Sequence, residues 1–139
     1  MEGLAMGLFV RYAVIHSICL HQWFDSWWSC GFAMRFYHNP RCSKSRQALA
    51  LLRERGVEME IVRYLEVGVV KEDLALLASL EGIVRKKEAG AEAMAALHSV
   101  DDIAALLVAN LKVLERPVLV ADGQAVIGRP PEDVLKLIK

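Results

Sequence analysis

Between residues 35 and 64 the apolar residues are spaced first as in a strand, then as in a helix, and then again as in a strand. Residues 35–37 predict a short strand, which Asn39-Pro40 ends because proline cannot donate to a sheet ladder. Residues 43–55 are strong helix formers with apolar positions at helical spacing, and Gly56 is typical of a helix C-terminus. Residues 59–64 then alternate between apolar and charged. The pattern predicts strand, helix, strand.

The second half predicts two helices, a hairpin and a last helix. The helices span residues 71–80 and 101–111, and Ser99 stands where the second one would be capped. Asp122-Gly123 lies between two short apolar runs, 118–121 and 124–127, which is a strong hairpin signal. Pro131 then opens a predicted helix that ends at Ile138.

This order of elements predicts the fold class. Two strands joined by a helix run parallel with a right-handed crossover, whereas a tight hairpin makes its strands antiparallel. The chain is therefore predicted to be an α/β protein with a mixed four-stranded sheet flanked by helices on both faces. That arrangement is thioredoxin-like.

Residues 1–33 differ in composition from the rest of the chain. They hold all three tryptophans and two of the three cysteines, Cys19 and Cys30, but only three charged residues. A signal peptide and a membrane span both fit poorly, because Arg11 interrupts the apolar stretch and no basic start precedes it. We favour a misassigned start or a disordered extension without function, followed by one domain over residues 34–139 that begins at Met34.

The charge and the cysteine content of the chain exclude several classes of function. Seventeen basic and seventeen acidic residues cancel, which argues against nucleic acid or a membrane surface as the partner. Three cysteines without a CxxC pair or zinc-finger spacing argue against a disulfide framework and a metal site. These features are typical of a reducing compartment, and we expect a cytoplasmic protein.

Cys42 is the candidate nucleophile because it stands at the start of the predicted helix. A helix N-terminus offers free N–H donors and the positive end of a dipole, which together favour a thiolate. Lys44 and Arg46 add positive charge, while Ser43 and Ser45 can donate hydrogen bonds to a thiolate or an oxyanion. A buried, inert cysteine is the alternative, but the polar neighbours argue against it.

His38 precedes Cys42 by four residues and allows two interpretations. As an imidazolium it would add positive charge beside the thiolate. As a neutral residue at a strand end it would only hydrogen-bond to backbone. The sequence leaves both interpretations open.

The loop from Tyr37 to Arg46, read Tyr-His-Asn-Pro-Arg-Cys-Ser-Lys-Ser-Arg, resembles the active-site loop of the glutaredoxin-coupled arsenate reductases. Three further stretches, residues 83–88, 114–118 and 127–132, resemble the remaining blocks of that family in the same order. The similarity covers essentially all of residues 34–139.

The resemblance implies a reaction and a set of site residues. Cys42 would attack arsenate or a similar oxyanion, which Arg85, Arg116 and Arg129 would bind, helped by the loop residues Ser43, Ser45 and Arg46. Arginine forks suit such tetrahedral anions. The Arg116-Pro117 bond would be cis. Glutathione would be the co-substrate and glutaredoxin the partner of a monomer without a bound cofactor or metal, and the lack of a second cysteine near Cys42 agrees with a borrowed thiol.

One departure from the family keeps other functions open. The family usually turns through prolines after the segment that matches residues 64–66, whereas this chain has Val67-Gly68-Val69-Val70 and a shorter approach to Arg85. If Arg85 were withdrawn, a general glutathione-linked thiol oxidoreductase would be the better interpretation. An Spx-like regulator that contacts RNA polymerase is a third hypothesis. Ser45 argues against it, because the usual CxxC switch would need cysteine there.

Overall fold

The computed structural model describes residues 34–138, so the predictions for residues 1–33, including Cys19 and Cys30, lie outside the described residues. The strands are β1 (Met34–Tyr37), β2 (Glu60–Val62), β3 (Val118–Ala121) and β4 (Gln124–Ile127). The α-helices are α1 (Ser43–Glu54), α2 (Tyr64–Val67), α3 (Lys71–Ala78), α4 (Lys86–Ala95) and α5 (Val100–Ala109). Two 3₁₀ helices span Leu111–Val113 and Pro131–Leu137.

The sheet has the strand order β2-β1-β3-β4 and is mixed. β1 pairs with β2 in parallel and with β3 antiparallel, and β3 pairs with β4 antiparallel. Asp122 and Gly123 both have positive φ, 50° and 72°, as a type I′ hairpin turn requires. The predicted fold class, a mixed four-stranded sheet flanked by helices, is confirmed.

Side chains alternate across the central strands and form a core on each face of the sheet. On one face Phe36 and Leu119 pack with α1 and the C-terminal 3₁₀ helix, through Leu52 and Val134. On the other face Tyr37 belongs to a larger cluster that takes in α2, α3 and α5; its buried members include Val62, Tyr64, Leu77, Leu107, Val118 and Val120. The neighbours Phe36 and Tyr37 therefore serve opposite cores, as period-two strands require.

Two local predictions were wrong. Tyr64 begins α2 instead of ending the second strand, which stops at Val62. The charged stretch after Arg85 forms α4, which none of the predicted helices covers, because its apolar residues follow no regular spacing and Gly90 breaks it with a φ of 82°. The predicted last helix is confirmed over Pro131–Leu137, where it is a 3₁₀ helix.

No helix within residues 34–138 is long and apolar enough to cross a membrane.

Candidate active site

The segments that follow β1, β2 and β4 and the segment that precedes β3 all lie at the same end of the sheet, as the pairing register shows. Tyr37, the last residue of β1, pairs with Val62 of β2 and with Val118 of β3, and Val118 pairs in turn with Ile127 of β4. The thiol loop, residues 38–42, therefore starts beside the residue that follows cis-Pro117. Arg116 and Arg129, each two residues outside the sheet, flank the same end.

Cys42 is the N-cap residue of α1, as predicted. Its backbone is extended, its carbonyl accepts the first helical hydrogen bond from the Arg46 N–H at 3.1 Å, and its own N–H donates to the Asn39 carbonyl at 3.0 Å. Within residues 34–138 no side chain caps this helix. The first amides of α1 and the positive end of its dipole are therefore available to an anion at the half-buried sulfur.

A buried pair of side chains, His38 and Ser45, supports the thiol loop. The His38 Nδ1 atom lies 2.7 Å from the Ser45 Oγ atom, which also accepts the Asn39 N–H at 3.0 Å. Because this oxygen already accepts one hydrogen bond, the Ser45 hydroxyl is placed to donate its proton to Nδ1. The pair ties the end of β1 to the first turn of α1 and so fixes the loop that carries Cys42.

This geometry bears on two predicted roles. Burial lowers the pKa of His38, and the positive charges of three arginines lower it further, which favours the neutral ring over an imidazolium, the two interpretations that the sequence left open. Ser45 is completely buried and its hydroxyl is engaged, so it supports the loop instead of facing an oxyanion. Both residues hold the Cys42 loop in place.

The two other loop residues predicted to bind an oxyanion lie on the surface. Ser43, the first residue of α1, is exposed. Arg46 is also exposed, and its Nη1 atom lies 3.4 Å from the Pro40 carbonyl, across the mouth of the thiol loop. Both side chains remain accessible to a ligand at this end of the sheet.

One carboxylate, that of Glu115, contacts the side chains of Arg85 and Arg129 and the backbone of Arg116. Its Oε1 atom lies 2.8 Å from the Arg129 Nε atom and 3.8 Å from the Arg85 Nε atom, and it accepts the Arg116 backbone N–H at 3.1 Å. The Arg129 Nε–H group also donates to the Arg116 carbonyl at 3.1 Å. The shorter segment before Arg85 had put the position of this side chain in question. Its contact with Glu115 brings it to the same carboxylate as Arg129.

A β-bridge between Val84 and Leu114 explains how Arg85 reaches this cluster. The Arg85 N–H donates to the Val113 carbonyl and the Glu115 N–H donates to the Ile83 carbonyl, both at 2.7 Å. Arg85 and Glu115 thus leave adjacent backbone segments. Arg85 also pairs with Glu88 of α4 at 2.9 Å.

Close packing fixes the last two arginine segments relative to each other. The Arg116-Pro117 bond is cis, as the resemblance implies, and so is Arg129-Pro130. The Gly128 N–H donates to the Pro117 carbonyl at 2.7 Å, and a Cβ atom on Gly128 would lie only 2.8 Å from the side chains of Pro117 and Val134. Only glycine leaves room for this approach.

Two residues of the site were missed by sequence reasoning. Glu115 lies inside the block of residues 114–118 that resembles the family, but only its neighbour Arg116 was assigned a role there. Tyr64 was counted as strand, yet it is completely buried at the same end of the sheet. A carboxylate next to an arginine assigned to anion binding is the signal that could have indicated Glu115, while nothing in the sequence marked Tyr64.

A model of the ArsC family matches residues 37–137. The chain belongs to the ArsC family. Two relatives illustrate the similarity within it. The uncharacterized protein YfgD of Escherichia coli K12 is 44% identical over 114 residues, 76% of this chain and 96% of that protein. The arsenate reductase of Neisseria meningitidis serogroup A is 39% identical over 110 residues, 73% of this chain and 94% of that protein.

Solved structures of the family agree with the fold. The structure of the arsenate reductase from Vibrio cholerae is 35% identical, covers 77% of this chain and 98% of that one, and superposes with a TM-score of 0.66. The predicted family and its thioredoxin-like fold are confirmed. This protein is thus a member of an arsenate reductase-like enzyme family.

Proposed function

We propose that the protein reduces arsenate to arsenite, with Cys42 as the nucleophile and with glutathione and glutaredoxin as the thiol donors. One observation carries the proposal: the free N-terminus of α1 at Cys42 opens at the end of the sheet where Arg116 and Arg129 also emerge. Arg85 joins them through Glu115. A thiol and a cluster of arginines in one place suit a tetrahedral oxyanion that is attacked by sulfur.

Each group has a distinct task in this reaction. The arginines neutralise the arsenate oxygens and orient the arsenic toward the thiolate, and the amides of the first turn of α1 stabilise negative charge near the sulfur. His38 and Ser45 keep the loop in the attacking position. Glu115 sets the spacing of Arg85 and Arg129 before the anion arrives.

The reaction balances with two external thiols. The Cys42 thiolate forms a bond to arsenic, and one arsenate oxygen leaves as water. Glutathione then forms a second arsenic–sulfur bond, and a second arsenate oxygen leaves as water; the final hydrolysis takes one of these two waters back. A glutaredoxin thiolate attacks the glutathione sulfur, a disulfide forms, and the electron pair stays on arsenic, which becomes arsenic(III) and leaves Cys42 by hydrolysis. One arsenate and two thiols give one arsenite, one disulfide and one water.

A groove next to the thiol loop supports glutathione as the co-substrate. It is lined by His38, Asn39, Pro40, Arg41, Arg63, Leu65 and Glu66. Arg63 and Glu66 form a weak, exposed pair at 3.9 Å, which matches the carboxylate and ammonium of a γ-glutamyl group. Arg41, the residue before Cys42, is placed for the second glutathione carboxylate. Reduced glutathione also agrees with the cytoplasmic location that we propose for this monomeric enzyme.

The test is arsenate turnover by the full chain with glutathione and glutaredoxin. We expect arsenite to form only when both thiol donors are present. Cys42→Ser should abolish it, and Arg116→Ala should raise the arsenate KM by at least tenfold, because about 1.4 kcal/mol or more of charge-assisted hydrogen bonding is lost. Turnover that persists in Cys42→Ser would rule the proposal out.

A general glutathione-linked thiol oxidoreductase is the second candidate. The observation in its favour is that Glu115 already pairs with Arg129 at 2.8 Å, so the arginines have a partner without an oxyanion. This candidate predicts that Cys42 exchanges with glutathione mixed disulfides while arsenate turnover is undetectable. Arsenate turnover well above the exchange rate would exclude it.

A further inference from the structure

Two buried polar atoms among residues 34–138 have no hydrogen-bond partner: the Tyr64 hydroxyl and the Arg116 Nε atom. Leaving such groups unpaired costs about 1–3 kcal/mol each, so native structures seldom keep them without a use. The two atoms also belong to one region of the molecule.

Tyr64 lies between the thiol loop and the arginine cluster. It comes two residues after β2, and its ring packs in the same cluster as Val84 and Leu114, the bridge residues next to Arg85 and Glu115. Burial raises the pKa of Tyr64, whereas the adjacent side chains of Arg116 and Asn39 act in the opposite direction. Groups that lower a tyrosine pKa stabilise the phenolate, so donor groups of Arg116 and Asn39 face the Tyr64 oxygen without completing a regular hydrogen bond to it.

Asn39 extends this contact to the nucleophile. Its carbonyl accepts the Cys42 N–H at 3.0 Å, and its Oδ1 atom accepts the Arg41 N–H at 2.9 Å. Because Oδ1 faces the backbone of its own loop, the amide Nδ2 group of Asn39 is the donor that is left for Tyr64. Asn39 is itself buried, with 6% of its surface exposed.

We propose that Tyr64 is a positioning residue that couples Arg116 to the Cys42 loop when an oxyanion binds. The anion draws the Nη atoms of Arg116 toward itself, the Nε–H group then donates to the Tyr64 oxygen, and the same oxygen accepts the Nδ2–H group of Asn39. Both unpaired atoms acquire partners in this state. Because the hydroxyl is shielded from solvent, the oxyanion contacts Arg116 and not Tyr64. The inference rests on the proposed function, which supplies the oxyanion.

The test compares Tyr64→Phe with the wild-type full chain. The first readout is the arsenate concentration that half-protects Cys42 from iodoacetamide, measured on the Cys42 peptide by mass spectrometry. We expect this concentration to rise roughly tenfold in Tyr64→Phe, because the anion-bound state loses its added hydrogen bonds. Stability without arsenate should stay the same or rise, since the variant removes a hydroxyl that has no partner in that state.

Tyr37→Phe is the matched control. Tyr37 is equally buried, but its hydroxyl already donates to Asp73 Oδ2 at 2.7 Å. This variant should lose stability and keep the wild-type arsenate concentration for half-protection. A tyrosine with a merely structural role at position 64 would behave in the same way as Tyr37.

The outcomes separate this inference from the proposed function. Wild-type Cys42 that arsenate does not protect would overturn both. Wild-type protection that Tyr64→Phe retains in full would overturn only the role of Tyr64. If Tyr64→Phe does not fold, hydrogen exchange of the Arg116 Nε–H group in the wild-type chain decides: arsenate should slow it, and an unchanged rate would overturn the inference.

Discussion

At the scale of single residues, the site depends on charges that are held close together. The guanidinium groups of Arg85 and Arg129 meet at the Glu115 carboxylate, of which 17% is exposed, and the Arg129 contact is 2.8 Å long. Like charges at this separation repel one another, so Glu115 stabilises the cluster while no anion is bound. The same carboxylate competes with an incoming oxyanion for the same donors.

Glu115→Gln should therefore bind arsenate more tightly. Glutamine keeps an acceptor oxygen for the Arg129 Nε–H group but removes the competing negative charge. One unit charge at about 4 Å contributes about 1 kcal/mol in a solvent-like medium, which corresponds to roughly fivefold in affinity. The measurement is the arsenate concentration for half-protection of Cys42. The control is Glu88→Gln, which removes the charge of a more exposed partner of Arg85 and should change this arsenate concentration less. Weaker arsenate binding in Glu115→Gln would contradict this account.

His38 should make the folded state sensitive to acid. Burial holds its pKa below the ordinary 6.5, so below about pH 6.5 the unfolded chain binds a proton that the native chain does not. The free energy of unfolding should then fall as the pH falls through this range. His38→Gln should flatten that part of the curve, which urea unfolding between pH 7.5 and about 5 would record. His98→Gln, at an exposed position, is the control and should leave the slope unchanged.

At the scale of elements, a buried carboxylate fastens α3 to the sheet. Asp73 in the first turn of α3 accepts the Arg35 Nη1 donor and the Tyr37 hydroxyl, each at 2.7 Å. Both partners belong to β1, the strand that leads into the thiol loop. The helix therefore supports the strand on the side opposite α1.

Asp73→Ala should destabilise the fold by about 3 kcal/mol, because it leaves the Tyr37 hydroxyl and the Arg35 charge without their partner. Urea unfolding measures the loss, with Glu72→Ala at the adjacent exposed position as the control. Iodoacetamide reactivity of Cys42 in the folded state should stay close to that of the wild type. Equal stability of the two variants would show that this contact does not hold the helix.

The elements also show how far sequence reasoning reaches. The hairpin at Asp122-Gly123 and the helix start at Ser99 were predicted because their signals are local, and Ser99 indeed forms a capping box with Asp102. The helix after Arg85 was missed because it has no regular apolar face and contacts the core through the partly buried Ala89 and Met94. Local rules cannot supply those contacts.

At the scale of the whole molecule, the sheet brings distant segments together. Cys42, Arg116 and Arg129 are separated by up to 87 positions in the sequence, yet strand register places their segments at one end of the sheet. The place of Cys42 at a helix start predicted the nucleophile, and the family resemblance predicted the roles of the arginines. It did not predict Glu115 or Tyr64, because their roles depend on contacts between segments that only the folded chain brings together.

The central claim is that Cys42 and the arginines form one oxyanion site, and protection of Cys42 tests it most directly. Arsenate should slow iodoacetamide labelling of the Cys42 peptide in the full chain, and Arg85→Gln, Arg116→Gln and Arg129→Gln should each weaken this protection while the fold is retained. Labelling of Cys42 that arsenate does not change, or protection that survives all three substitutions, would contradict the account.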